Sequence, residues 1–231
     1  MPERASLERQ IEVLSEISQA ITSDLYLDDI LKLIVTLTAS VMDSKIVSLW
    51  LLEEKEGCFK LRATQTINKE YLKERSLGWG EGIVGRVAQS RQPMQIPNVL
   101  EEPLYKEKEM ARNLGLGSML SVPMCVKDRV VGVLNCYGSS RRLFTETEVK
   151  LLITVANQAA VAIENTELMV KSRVIQEELE SRKLVERAKE ILITRKGMSP
   201  DEAYRRIQKQ SMDSRRSMRE IAEAIILADQ I

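Results

Sequence analysis

The sequence predicts an α+β domain, then one long helix, then a small all-α bundle of three helices. Three observations carry this. Apolar residues recur at helical spacing over residues 7–42. β-Branched and aromatic runs bounded by turn signals fill the stretch up to Gly138. From Thr145 onward the pattern is helical, broken only where glycine, proline and capping residues cluster.

Each element follows from local chemistry. Leu7, Ile11, Leu14, Ile17 and Ile21 recur at three- and four-residue steps. The polar stretch TSDLYLDD breaks that run and supplies caps for a second helix. That helix carries Ile30, Leu31, Leu33, Ile34, Leu37, Ala39 and Val41, apolar on nearly every side, which implies burial against a sheet. KIVSLWLLEE and CFKLRATQT, separated by EKEG, read as a β-hairpin with Gly57 in its turn. SLGWGEGIVGRVAQSRQPMQIPNV reads as loop, short helix and strand, spaced by Gly78, Gly80, Gly82 and Gly85. SMLSVPMCV and RVVGVLNCYG are two strands around KDR, a second hairpin signal.

The helical stretch from Thr145 holds no proline, and no glycine before Gly197. As a single helix of roughly fifty residues it would be about 75 Å long. Thr145 and Glu148 have capping-box spacing. A periodic stretch of this length suggests a coiled coil. Its seam is read as Ile163, Val170, Val174, Leu184, Ala188 and Ile191, interrupted by Glu177 and Ser181. Polar breaks in a seam suit a dimer contact that can form or loosen. Gly197 ends the helix with a left-handed cap, and Ser199, Pro200 and Glu202 start the next. That helix places Ala203, Ile207 and Ser211 on one face. The last helix is read from DSRRSMREIAEAIILADQ, capped by Asp213 or Ser214, with Met218, Ile221, Ala222 and Ile225 inward.

Composition excludes more than it assigns. The chain has 231 residues, 34 basic and 34 acidic, and no histidine. A Ser-His-Asp triad, a Cys-His nucleophile pair, histidine-ligated haem or zinc, and a phosphohistidine relay are all excluded within it. Cys58, Cys125 and Cys136 lack metal-site spacing. They read as buried free thiols of a reducing compartment, or more sharply as holding a redox-sensing pair. The charged start MPERASLERQ is unlike a signal peptide, and no run approaches the ~20 apolar residues of a membrane span. The expected location is the cytoplasm, with no membrane partner. After Val170 the chain holds 14 basic and 11 acidic residues, so a net zero overall divides into +3 after that point and −3 before it. The asymmetry suits a tail that grips a polyanion.

The cations of the tail fall at one-turn spacing. Lys183 and Arg187 do so on the first helix, Arg205 and Lys209 on the second, and Arg215 and Arg219 on the third. Lys189 and Arg216 complete the set. Such pairs can straddle phosphates, or be a solvated surface of intrahelical ion pairs with Glu186 and Glu190. Tyr204, the one aromatic of the tail, either packs inward or stacks on an unpaired base.

Two resemblances sharpen this. GEGIVGRVAQSRQPMQIPNV, with SMLSVPMCVKDRVVGVLNCYGSSRRLFTETEVKLLITVANQAAVAIENTEL, resembles the GAF family of ligand- and signal-sensing domains over about residues 7–170. The resemblance implies an antiparallel sheet of about six strands with helices on both sides. RKLVERAKEILITRKGMSPDEAYRRIQKQSM, followed by RRSMREIAEAII, resembles the ANTAR family of RNA-binding antiterminator modules. Ser211, before Met212, stands where that family more often has alanine. The implied organisation is a GAF sensor over 1–163, a coiled-coil linker helix over 164–182 and an ANTAR domain over 183–231. The implied partners are leader mRNA with hairpin loops and a second copy of the chain, joined through GAF and coiled-coil helices. DNA is not expected. In the GAF half, Trp50, Trp79, Gly82 and Tyr137 are candidates for lining a ligand pocket. LNCYGSSRRLFTETE keeps Asn135 and Phe144 but not the Asn-Lys…Phe-Asp-Glu signature of the cyclic-nucleotide-binding branch. No cofactor is identifiable, and a small-molecule ligand of unknown kind is what the resemblance leaves. Two other readings are a DNA-binding regulator, since SMREIAEAI resembles the first helix of a helix-turn-helix, and a GAF-fold free methionine sulfoxide reductase. The first lacks a recognition helix before Ile231, and the second lacks the cysteine pattern.

Overall fold

The computed structural model of the chain describes residues 2–23, 25–66 and 75–229, with side chains described from residue 7. They form two units, residues 1–166 and residues 167–231.

The first unit is built on a six-stranded antiparallel sheet. Its strands are β1 (Ile46–Glu53), β2 (Cys58–Thr64), β3 (Ser76–Gly78), β4 (Met94–Ile96), β5 (Ser118–Val126) and β6 (Arg129–Gly138), in the order β3-β2-β1-β6-β5-β4. Helices α1 (Pro2–Ile21), α2 (Leu27–Val41) and the start of α5 (Glu146–Lys196) cover one face. Helices α3 (Gly82–Ser90) and α4 (Lys108–Leu114) cover the other. The period of two in each strand sorts residues between the faces. Val47, Leu49, Leu120, Val122, Leu134 and Cys136 join Ile17, Leu31, Ile34, Leu152, Ala156 and Ala159 in one core. Ile46, Trp50, Met119, Val133 and Tyr137 join Ile83, Val87, Met110 and Ala111 in the other. Coverage on both faces explains why RVVGVLNCYG is apolar almost throughout, although an antiparallel strand with one wet face would alternate.

One row breaks the apolar pattern. In register across the three central strands, Ser48 pairs with Asn135 and Asn135 with Ser121. All three are buried. They lie on the α3/α4 side, between Tyr137 and Val133 of β6.

The glycine-spaced loop has a packing reason. Gly80 donates its backbone N–H to the Gly85 carbonyl at 3.0 Å, so the loop lies against the first turn of α3. A Cβ on Gly85 would fall 2.2 Å from the Gly78 carbonyl oxygen and 2.9 Å from the Gly80 nitrogen.

The second unit holds the remainder of α5 with α6 (Pro200–Ser214) and α7 (Met218–Asp229). Its core is Val185, Ala188 and Leu192 from α5, Ala203 and Ile207 from α6, and Ile221, Ala222 and Ile226 from α7. Gly197 has φ +65° and closes α5 through its N–H to the Ile193 carbonyl. The Ser199–Glu202 capping box is complete: Glu202 N–H donates to Ser199 Oγ, and Ser199 N–H donates to Glu202 Oε2.

Two expectations are corrected. The cap of α7 is Ser217, not Asp213 or Ser214. Glu220 N–H donates to Ser217 Oγ at 3.2 Å, and Ser217 N–H donates to Glu220 Oε2 at 2.7 Å. Ser214 lies at the end of α6 and donates back to the Gln210 carbonyl instead. Between the helices Arg215 takes a left-handed conformation, φ 55°. The stripe read from the sequence as a seam is also not a continuous exposed one. Ile163 and Ala188 are buried in the cores of the two units, so neither is available to a partner. The exposed apolar residues of α5 at heptad-compatible steps of seven, seven and four are Val161, Leu168, Ile175 and Leu179.

Gly85 provides a sharp test of the loop packing. In an unconstrained helix, glycine to alanine stabilises by up to about 1 kcal/mol. Here the contact with the Gly78 carbonyl reverses the sign, and Gly85→Ala should destabilise the first unit by about 1–3 kcal/mol in thermal unfolding. An unchanged or raised melting temperature would show that the loop yields freely.

Candidate nucleic-acid interface and ligand cavity

The eight candidate cations of the tail fall into two groups. Lys189 is partly buried, donates to both carboxylate oxygens of Glu186 at 2.9 and 3.1 Å, and sits 6.0 Å from the Tyr204 ring centroid. Arg219 donates from Nε to Glu223 at 2.9 Å and reaches within 4.0 Å of Glu180. The hydrogen bond from Glu223 pushes the Arg219 guanidinium pKa above its ordinary value. Tyr204 and Arg219 share a shallow groove with Glu177, Glu178 and Glu186, an unfavourable lining for a phosphate. Tyr204 is 43% exposed, so its ring is neither core nor free of contact.

Lys183, Arg187, Arg205, Lys209, Arg215 and Arg216 form the second group. All six are exposed, and among the described residues none is in an ion pair. Lys183 and Arg187 flank one stretch of α5, and Arg205 and Lys209 one stretch of α6. The connection carrying Arg215 and Arg216 is held by the Arg216 N–H to the Ser211 carbonyl at 3.2 Å, and by the Ser211 hydroxyl to the Arg216 carbonyl at 2.6 Å. Ser211 thus fixes the basic turn. Intrahelical ion pairing consumes only part of the cationic set.

The first unit contains a cavity of about 230 Å³ on the α3/α4 face of the sheet. Trp50, Gly82 and Tyr137 line it together, with Arg75, Glu81, Tyr105, Lys106, Glu107, Met119 and Asn135. Trp79 is not among its lining residues. It is 48% exposed and packs edge-on against Phe59 at 5.2 Å. Trp50 Nε1 donates to Ser48 Oγ at 3.3 Å, and the Arg75 guanidinium lies 5.7 Å from the Trp50 ring centroid. At the rim Glu81 accepts from the Gly78 N–H at 2.8 Å and pairs with Lys106. The Gly78 bond first, and Lys106 second, hold the Glu81 carboxyl below its ordinary pKa. Sequence reasoning missed Arg75 and Tyr105, and met Asn135 only against the cyclic-nucleotide signature, not as a lining residue. A legible signal existed for Asn135 alone, as the polar residue inside VVGVLNCYG.

The cysteines are apart from both sites. Cys136 is buried beside Ser44, and burial pushes its thiol up to about 12. Burial also raises Cys125. No described helix is long and apolar enough to cross a membrane, and no metal-ligating cluster occurs among the described residues.

With this geometry in place, the comparisons are specific. Residues 26–163 match the GAF domain, and the chain belongs to the GAF family. Its tail carries a second known module: residues 173–226 match the ANTAR domain, which gives a GAF–ANTAR architecture. A phosphoenolpyruvate-dependent phosphotransferase system protein of Escherichia coli strain K12 is 27% identical over 155 residues, 67% of this chain and 21% of that protein. The transcriptional regulatory protein PdtaR of Mycobacterium tuberculosis is 46% identical over 52 residues, 22% of this chain and 25% of its own length. The chain therefore spans a quarter or less of each of these relatives. The solved GAF domain from a phosphoenolpyruvate-protein phosphotransferase of Coxiella burnetii superposes with a TM-score of 0.63 at 23% identity, over 71% of this chain and 98% of that one. That likeness shows the shared fold.

The two capping boxes of the second unit make it acid-sensitive. The backbone N–H of Ser217, then its hydroxyl, lowers the Glu220 carboxyl pKa, and Ser199 does the same for Glu202. A carboxyl depressed in the folded state adds stability above its unfolded value and loses it as pH falls through the lowered one. Helicity of the tail should therefore fall as pH drops below the ordinary carboxylate value of 4.5, followed by circular dichroism. Ser217→Ala should cost about 1 kcal/mol and Ser214→Ala much less, in the order opposite to the sequence-based capping assignment.

Proposed function

We propose that this chain is a signal-responsive transcription antiterminator. Its ANTAR unit binds paired hairpins in leader mRNA, under control of the GAF sensor. The observation that carries this reading is the group of six exposed, unpaired cations on a unit that matches ANTAR. The regulatory name of PdtaR, similar to this chain across that module, supports it.

The physics suits RNA. Lysine and arginine that hold no internal partner can neutralise phosphates and release counterions. Guanidinium groups also stack on unpaired bases, and single-stranded loops are where RNA sequence can be read. The engaged residues, Lys189, Tyr204 and Arg219, would then border the interface rather than centre it. We assign sensing to residues 1–163, linkage to 164–182 and RNA binding to 183–231, with the cytoplasm as location. DNA and membrane are not partners in this reading. Thiol catalysis is disfavoured by the burial of Cys136, so the reading is a regulator and not an enzyme.

A second copy would present a second RNA surface. Its contact is proposed along Val161, Leu168, Ile175 and Leu179, with Asn165 and Ser172 as polar breaks in the same heptad register. The GAF domain could shift this contact by changing the start of α5, which it holds in its own core.

Two measurements test these claims. In filter binding to a two-hairpin RNA, the double change Arg215→Glu with Arg216→Glu should weaken affinity at least about tenfold, and lower the salt slope by roughly 1.5–2. Arg219→Gln should do less. Affinity indifferent to salt, or equal competition by duplex DNA, would sink the RNA assignment. In sedimentation equilibrium, Ile175→Asp should yield monomer while Val170→Asp leaves the dimer intact. The reverse result would restore the seam read from sequence.

A further inference from the structure

We infer that the cavity of the GAF domain takes a small uncharged molecule, with an apolar body and one hydrogen-bond acceptor. This inference rests on the reading of that domain as a sensor and adds the chemical class of what it senses.

Size gives the first limit. At about 230 Å³ the cavity lies below the ~300–1,000 Å³ of drug-sized sites, which restricts the occupant to about a dozen non-hydrogen atoms. Trp50, Ile83, Val84, Met119 and Tyr137 are all buried and form much of the wall. Most of the occupant therefore meets apolar or aromatic atoms, and burial of its own apolar surface supplies the attraction.

Charge gives the second limit. Among the described lining residues stand two cations, Arg75 and Lys106, and two anions, Glu81 and Glu107. They pair within the lining, Lys106 with Glu81 and Arg75 with Glu107 at 3.9 Å. The Arg75 guanidinium also lies 5.7 Å from the Trp50 ring centroid. An ion entering such a site gives up its water and meets no uncompensated opposite charge. A neutral molecule does not incur that loss.

Asn135 gives the third limit. It lines the cavity and is 1% exposed. Ser121 Oγ donates to its Oδ1 at 2.6 Å, which orients the amide and leaves Nδ2 as its donor. Among the described residues Nδ2 has no acceptor. A buried amide on an apolar sheet face is costly unless it is bonded. The oxygen of a ketone, an ester or an ether satisfies Nδ2 without bringing a charge into a balanced lining.

The test uses the full chain and probes alike in shape. Acetophenone is compared with benzoate, benzamidine and ethylbenzene, and 2-heptanone with hexanoate and hexylamine. Isothermal titration calorimetry should show saturable binding of at least one ketone, with its charged counterparts at least about tenfold weaker. Ethylbenzene, which has no acceptor, should bind about threefold or more weaker than acetophenone. Asn135→Leu, its fold checked by thermal unfolding, should erase that difference. Glu107→Gln leaves Arg75 without its carboxylate and should raise benzoate relative to acetophenone. A charged probe that binds as well as its ketone overturns the inference, as does failure of both ketones at millimolar concentration. Neither result needs a variant. The sensor reading is tested separately, by RNA affinity with and without the bound ketone. Unchanged RNA affinity would count against sensing and leave the ligand class standing.

Discussion

The architecture depends on how one helix spends its faces. Early in α5, Ala156, Ala159 and Ala160 let the backbone approach the sheet closely, and they are wholly buried beside Leu152 and Val155. Later in the same helix Val185, Ala188 and Leu192 supply three of the eight buried residues of another core. Each unit therefore needs α5 to complete its hydrophobic interior. Between those stretches its apolar residues meet neither core, and Leu168, Met169, Val170, Val174 and Ile175 stand exposed. The residues that complete the two cores and the apolar residues left bare are therefore different positions of the same helix.

Much of this was legible in the residues. Cap spacings at Thr145, Gly197 and Ser199 located the helix ends, because each satisfies backbone groups by local chemistry alone. The cap of α7 was misplaced because three capping residues precede that helix, and only Ser217 has a glutamate three residues on. The seam was misread for another reason. Periodicity finds apolar positions but not which core claims them, and Ile163 and Ala188 were already claimed.

The cavity was the least legible part. Its walls come from strand, loop and helix segments far apart in sequence, and no local pattern joins Arg75 to Tyr105 or Asn135. Aromatic identity pointed to Trp50 and Tyr137 but also to Trp79, whose ring leans on Phe59 instead. The tail cations show the same limit. The sequence groups eight cations with Tyr204, and only side-chain partners divide Lys189, Tyr204 and Arg219 from the rest.

Arg215 has one more consequence. A left-handed backbone is where glycine is cheapest, and a branched-chain or long residue there carries a steric penalty on the order of 1 kcal/mol. The junction accepts that penalty and is then locked from both sides by Ser211, as hydroxyl donor and as carbonyl acceptor. In the proposed RNA complex, two neighbouring guanidinium groups so mounted would leave little main chain to immobilise on arrival.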